Sequence, residues 1–248
     1  MIGPFLKSFG SKWAAARRGV FPVPEHSVIF EPFAGGAGYS CAHCINRVVL
    51  YDAHDELREL WQWLVSPAAT ESVIRSIPIL EPETNILEAG LDRGPALLVK
   101  WWQRTNNHGC KTWKVSPWGN KPGQWTESTR SRIAEQVQAI KHWEVLDTNG
   151  SMADYCSATV FVDPPYELNY QYGFKPGPDF YSNLSETVRD WERQGCQVIV
   201  CEAVGKTGQL PTWLPFRSSH RQVTSRRKAS NHHHSAELLY TTPTSPLR

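Results

Sequence analysis

No apolar run in this 248-residue chain approaches the roughly 20 residues that a membrane-spanning helix needs. No charged–apolar–small leader opens it, so the expectation is a soluble, unexported protein. Cysteine is sparse: six are dispersed along the chain, too few to staple a fold of this size by disulfides, which fits a reducing compartment. Cys41 and Cys44 have CxxC spacing. No second Cys or His pair of ligand spacing accompanies them, so they read as buried thiols, and no metal is expected. His232, His233 and His234 read as a surface loop rather than a tag. Acid is missing from two long stretches. From Arg93 to Thr126 there are six basic residues and no Asp or Glu, and from Ala203 to Ala236 there are again six and none. The remainder holds 14 bases against 24 acids, a balance of −10. Such segregation suits a polyanionic partner facing two basic segments, although either segment alone is also what a solvated loop carries.

What is present is enough for one α/β domain, or one domain with an insertion. "SVIFEPF" at 27–33 and "VVLYD" ending at Asp52 read as short apolar strands, separated by "AGGAG" and by "YSCAHCINR", which has the length of a helix. "DELRELWQWLV" places Leu57, Leu60 and Leu64 at i, i+3 and i+7, one face of a helix, with Trp61 beside them. Residues 66–95 are broken by Pro67, Pro78, Pro82, Gly90, Gly94 and Pro95 into short pieces. Of 11 tryptophans, six fall between Trp101 and Trp143. The stretch 101–126 shows no clean period and reads as an irregular insertion. "ESTRSRIAEQVQAIKHW" is a helix with Ile133, Val137 and Ile140 inward, and "NLSETVRDWERQG" another with Leu184, Val188 and Trp191 inward, stopping at Gly195. "EVLDT", "TVFVD", "CQVIVCEA" and "AELLYTT" are strands. Strands alternating with helices imply a mostly parallel sheet covered on both sides.

Two constellations carry chemistry. In "TVFVDPPYELNY", 159–170, a buried strand ends in Asp163, Pro164, Pro165 and Tyr166. Neither proline has an N–H, and Pro165 pushes Pro164 toward extended geometry. The strand therefore stops with outward carbonyls and no donors beside them. Asp163 is acceptor-only when ionised, so the edge is nearly pure acceptor, with the tyrosine ring alongside. That edge suits a flat ligand bearing an NH2 group; by itself the tetrapeptide also reads as a plain strand-ending turn. In "FEPFAGGAGYS" glycines 35, 36 and 38 lie between a strand and a helix, and Asp52 follows 21 residues after Glu31. A tight glycine turn with an acid at that distance, able to accept two ribose hydroxyls, is the nucleoside-binding half of a doubly wound sheet. The spacing is not G-x-G-x-x-G. Glu31 suits a sulfonium-bearing amino acid better than a pyrophosphate, so S-adenosylmethionine is preferred over a dinucleotide.

On these residues the chain resembles the N6-adenine DNA methyltransferases of the Dam type, including small phage and prophage members, over nearly its whole length and in the family's order. "LKSFGSKWA" at 6–14 resembles the N-terminal motif that closes over the methionine part of the cofactor, with Lys12 in the lysine position. "EPFAGGAG" resembles the glycine motif, "DPPY" at 163–166 the catalytic motif and "AELLY" the closing strand. The resemblance implies a Rossmann-like class I S-adenosylmethionine-dependent methyltransferase fold. The catalytic domain would comprise 1–92 and 127–248, with a small irregular DNA-recognition segment inserted at 93–126. It implies catalysis by Asp163, Pro164 and Tyr166. Cofactor contacts would come from Phe9, Lys12, Glu31, Phe33, Gly35, Gly36, Gly38, Asp52 and Asp163. The two basic segments offer Lys111, Lys114, Lys121, Arg226, Arg227 and Lys228 to double-stranded DNA. The implied activity is site-specific methylation of adenine N6, in the cytoplasm of a bacterium or a phage-infected host. Two departures stand out. Ser8 holds a place that is often aromatic, so the aromatic contact passes to Phe9; Ser151 stands where an acid is expected before the catalytic strand, with Asp147 and Asp154 nearby. The same acceptor edge would serve cytosine N4, an RNA base or a protein amide, and a non-catalytic DNA-binding relative would keep the same motifs.

Overall fold

Strands whose residues are apolar at every position must be covered on both faces, and the centre of this molecule is built that way. The computed structural model describes residues 1–7, 11–103, 113–117, 124–147, 157–167, 176–203, 211–213, 221–224 and 236–241. Five parallel strands form its core: β1 (Val28–Glu31), β2 (Arg47–Leu50), β3 (Glu144–Val145), β4 (Thr159–Val162) and β5 (Gln197–Ala203). β6 (Arg221–Thr224) and β7 (Ala236–Thr241) complete a seven-stranded sheet in the order β3-β2-β1-β4-β5-β7-β6, with β7 antiparallel to both its neighbours. That order with a reversed seventh strand is the Rossmann-like, class I methyltransferase fold. The strand of "RQVT" was not legible in the sequence; it lies within the acid-free segment read as basic loop.

The strand period of two divides the core cleanly. Ile29, Val48, Leu50, Phe161, Ile199 and Cys201 face one layer, while Phe30, Val49, Val160, Val162, Val198 and Val200 face the other. The first layer takes α1 (Trp13–Arg17), α2 (Gly38–Ala42), α3 (Asp55–Val65), α4 (Glu71–Ser76), α5 (Arg93–Trp102) and α6 (Glu127–Gln136). The second takes α7 (Phe180–Arg193), whose Leu184, Val188 and Trp191 are buried as the spacing predicts. α3 has the bounds that its pattern predicts; Asp55 and Glu56 favour its N-terminus, and it buries Leu57, Leu60, Trp61 and Leu64. Cys41 and Cys44 are free and buried. The helix expected over "YSCAHCINR" is only the five residues of α2.

The tryptophan-rich stretch is tied into the same core where it is described. α5 runs from Arg93 to Trp102 with every residue after Arg93 buried, so the expected inserted segment 93–126 begins on a helix of the main core. Trp102 donates to the Phe5 carbonyl at 2.7 Å and Trp125 to the Pro78 carbonyl at 3.0 Å. Indole bulk with an N–H that must find an acceptor makes these two rings cross-links between segments. The described cations of this stretch are also engaged: Arg93 pairs with Glu59 at 3.0 Å, Lys100 with Glu56 at 2.6 Å and Lys114 with Glu83 at 3.8 Å.

Among the described residues, no helix is long and apolar enough to cross a membrane.

Candidate active site at the carboxyl edge of the sheet

The chain lays β2 and β3 to one side of β1, then crosses back to lay β4 and β5 on the other. Strand order therefore reverses between β1 and β4, and ligands of open α/β sheets bind beyond the carboxyl ends of the strands at such a switch point. All five parallel strands run out there in an acid. Glu31 ends β1, Asp52 follows β2, Asp147 follows β3, Asp163 follows β4 and Glu202 lies near the end of β5. The sequence signal was available throughout: an apolar run closing on one carboxylate, in "VIFE", "VVLYD", "EVLD", "VFVD" and "VIVCE".

Asp163 is the centre of the site. Its Oδ2 lies 2.9 Å from Lys12 Nζ, and its Oδ1 accepts from the Tyr166 hydroxyl at 3.1 Å. Lys12 is 4% exposed and its ammonium is 5.3 Å from the centre of the Tyr166 ring. Two residues of the expected site meet at this carboxylate. Tyr166, read as an open stacking face, is buried and uses its hydroxyl on the carboxylate. Lys12, read as a cofactor residue, has its ammonium on the Asp163 carboxylate. The acceptor edge thus carries donors of its own chain. Pro164 is buried, and the Pro165 carbonyl accepts from Tyr181 Oη at 2.9 Å.

Lys12 reaches Asp163 because of a glycine. A side chain on Gly38 would meet the backbone nitrogens of Trp13 and Lys12 at 2.6 and 2.9 Å. The place of its missing Cβ is filled by the start of α1. Gly35 is the position where the turn needs glycine for its conformation: its φ is +47° and nothing lies within 4 Å of where a Cβ would stand. Its N–H donates to Asp52 Oδ2 at 2.8 Å and its carbonyl accepts from Trp61 Nε1 at 2.9 Å. Gly36 lies in the same turn, and Ala37 after it also has a positive φ of 45°. Phe33 packs edge-on against Phe180, with ring centres 6.0 Å apart, on the α7 side of the sheet.

The neighbouring acids are held by backbone donors. Asp52 is half-buried; Oδ1 accepts the His54 N–H and Oδ2 that of Gly35, each at 2.8 Å. Burial pushes its carboxyl above the usual range, against those two donors. A carboxylate has about four lone-pair positions, so two remain for a ligand. Glu31 is 2% exposed and accepts the Ser40 N–H at 2.7 Å. Burial pushes its carboxyl up to about 8, against the hydrogen bonding of Ser40 and the Lys12 charge and with that of Asp163. Asp147, exposed beyond β3, accepts from Gln62 Nε2 at 2.5 Å. Of the alternatives to Ser151 as the acid before the catalytic strand, Asp147 stands at this edge; Ser151 and Asp154 lie outside the described residues, as do Phe9, Lys111, Lys121, Arg226, Arg227 and Lys228. Lys114 is exposed beside Glu83. Sequence reasoning did not single out Tyr181, Glu202 or Gln62; only the last residue of "VIVCE" carried a visible signal.

This edge fits S-adenosylmethionine. The turn at Gly35 leaves open space, and Asp52 keeps acceptor positions for the hydroxyls of such a ligand. Among the described residues no group of three or more His, Cys, Asp or Glu side chains converges as metal ligands do.

No family model matches the chain and no curated protein matches it. Among solved structures, the rRNA methyltransferase aviRa from Streptomyces viridochromogenes is similar over 97% of this chain and 88% of its own, at 13% identity and a TM-score of 0.45.

Proposed function

We propose that this chain is an S-adenosylmethionine-dependent methyltransferase acting on an exocyclic base amine, specifically N6 of adenine in double-stranded DNA. The observation that carries it is Asp163–Pro164–Pro165–Tyr166 at the end of β4, beside the β1 glycine turn at the switch point. Gly35, Glu31 and Asp52 would hold the cofactor, which supplies an electrophilic methyl on a sulfonium. An amine conjugated to a purine ring is a poor nucleophile because its lone pair is delocalised. Asp163 and the Pro164 carbonyl, accepting its two N–H bonds, would localise that pair toward the methyl. Asp163 would take the proton that the amine sheds on alkylation. Preorganised acceptors and alignment then carry most of the rate. The Lys12 ammonium beside Asp163 favours its carboxylate form. The base must leave the duplex to reach this edge, and the Tyr166 ring is the adjacent aromatic surface.

The acid-free segments support a polyanionic partner, with the cations outside the described residues carrying that proposal. The test is incubation with labelled S-adenosylmethionine and mixed-sequence duplex DNA, or RNA in parallel, followed by nucleoside analysis. N6-methyladenine in DNA is expected. Label only in N4-methylcytosine or only in RNA would replace the acceptor, and no transfer to any of them would overturn the activity.

A further inference from the structure

The two prolines that make the acceptor edge also strip the loop of handles. Between Asp163 and Tyr166 the backbone has no N–H with which to fasten itself. It is fastened from outside. Tyr181 Oη, from the first turn of α7, donates to the Pro165 carbonyl at 2.9 Å. The amide joining Tyr166 to Glu167 directs its N–H to Glu202 Oε2, a long contact of 3.4 Å. The same oxygen accepts Trp213 Nε1 at 2.9 Å. Glu167 in turn accepts both the N–H and the hydroxyl of Thr212, at 2.8 and 2.7 Å. The rings of Tyr181 and Trp213 lie 6.1 Å apart, tilted by 33°.

Glu202 is 0% exposed. A buried carboxyl is costly unless it is well bonded, and an apolar residue would continue "VIVC" at lower cost. Its bonds are directional and join two separate segments, 163–167 and 211–213, at the point where the acceptor edge begins. We propose that Glu202 is a positioning residue for the acceptor loop, acting together with Tyr181. Through Glu167 and Trp213 it also ties residues 211–213, part of the second acid-free segment, to that loop. The assignment rests on the reading of Asp163–Tyr166 as the acceptor edge of a methyltransferase.

Two variants test it, Glu202→Gln and Tyr181→Phe; the second removes one half-buried hydroxyl and carries the test if the first does not fold. The readouts are amide exchange at Tyr166 and Glu167, kcat for base methylation, and cofactor affinity by calorimetry. Exchange at those two amides should quicken by about tenfold or more as the loop is released. kcat should fall by about tenfold to a hundredfold, since small misplacements at reacting groups cost that much. Cofactor affinity should stay within about twofold, because Glu31, Gly35 and Asp52, which are proposed to hold the cofactor, lie at the ends of β1 and β2 and outside the segment that Glu202 and Tyr181 fasten. Unchanged exchange in both variants overturns the proposal, whether or not the protein is active. So does quicker exchange with unchanged kcat, and so does a loss of cofactor affinity in step with kcat, which marks general loosening. A wild-type protein that transfers no methyl group overturns the functional reading instead, and the exchange result still decides whether Glu202 and Tyr181 hold the loop.

Discussion

Asp163 meets donors of its own chain, Lys12 and Tyr166 among them, and this changes what a conservative substitution should do. Asp163→Ala should abolish methyl transfer. Tyr166→Phe keeps the ring and loses a hydrogen bond to an ionised group, worth about 1.5 kcal/mol or more, so a drop in kcat of roughly tenfold is expected. Steady-state rates for both variants check this, and equal rates for wild type and Tyr166→Phe would mean that the hydroxyl is idle. Glu31 gives a pH signature. Its carboxyl ionises near 4.5 ordinarily and near about 8 in the folded protein. Between those values the folded state holds a proton that the unfolded state has lost, so stability falls as pH rises through that window and levels off above about 8. Glu31→Gln stays neutral and keeps an acceptor for Ser40, so it should flatten that decline. Thermal unfolding of both proteins across the window measures it; parallel curves would show that Glu31 does not titrate there.

At the scale of elements, the decisive contact is α1 on α2. Gly38→Ala forces a methyl group to within 2.6 Å of the Trp13 nitrogen. Backbone cannot yield as a side-chain tip can, so the start of α1 must shift and carry Lys12 off Asp163. A loss of about 1–3 kcal/mol of stability is expected, with a fall in kcat larger than that of a surface variant of equal stability. Unfolding curves and rates together check this. Gly35 would respond differently, because there the obstacle is φ and not space. The elements themselves were mostly legible. α3 and α7 followed from apolar spacing, and β4 and β5 from apolar runs ending in an acid. β6 was not, since "RQVT" has no period of its own and becomes a strand by pairing with β7.

For the molecule as a whole, charge counted along the chain overstates charge available to a partner. Arg93, Lys100 and Lys114 face Glu59, Glu56 and Glu83. They should add little to polyanion binding. Arg226, Arg227 and Lys228 together should matter more. Replacing the three with Ala should flatten the dependence of log K on log salt by up to about three units, from a slope near −0.9 per phosphate neutralised. Arg93→Ala should leave that slope unchanged. Affinity for duplex DNA at several salt concentrations measures both, and a slope unaltered by the triple variant would place those cations away from the phosphates.

What the sequence determined by itself was local in character. Apolar runs closing on carboxylates marked the strands and the edge at which they stop, and the double proline made an acceptor-rich strand end from nothing beyond its own covalent structure. Asp52, Glu31 and the glycine turn were legible for the same reason, since each depends on a few neighbouring residues. Tertiary structure alone decided which groups meet. It put Lys12 on Asp163, put the tryptophans of α5 and Trp125 into the core, and set Arg93 and Lys100 against the acids of α3. It also brought Glu202, Tyr181 and Trp213 around a loop whose two prolines have no N–H. Residue type and spacing say what a side chain is able to bond. Only the packing of distant segments, by removing water, says which partner it must take.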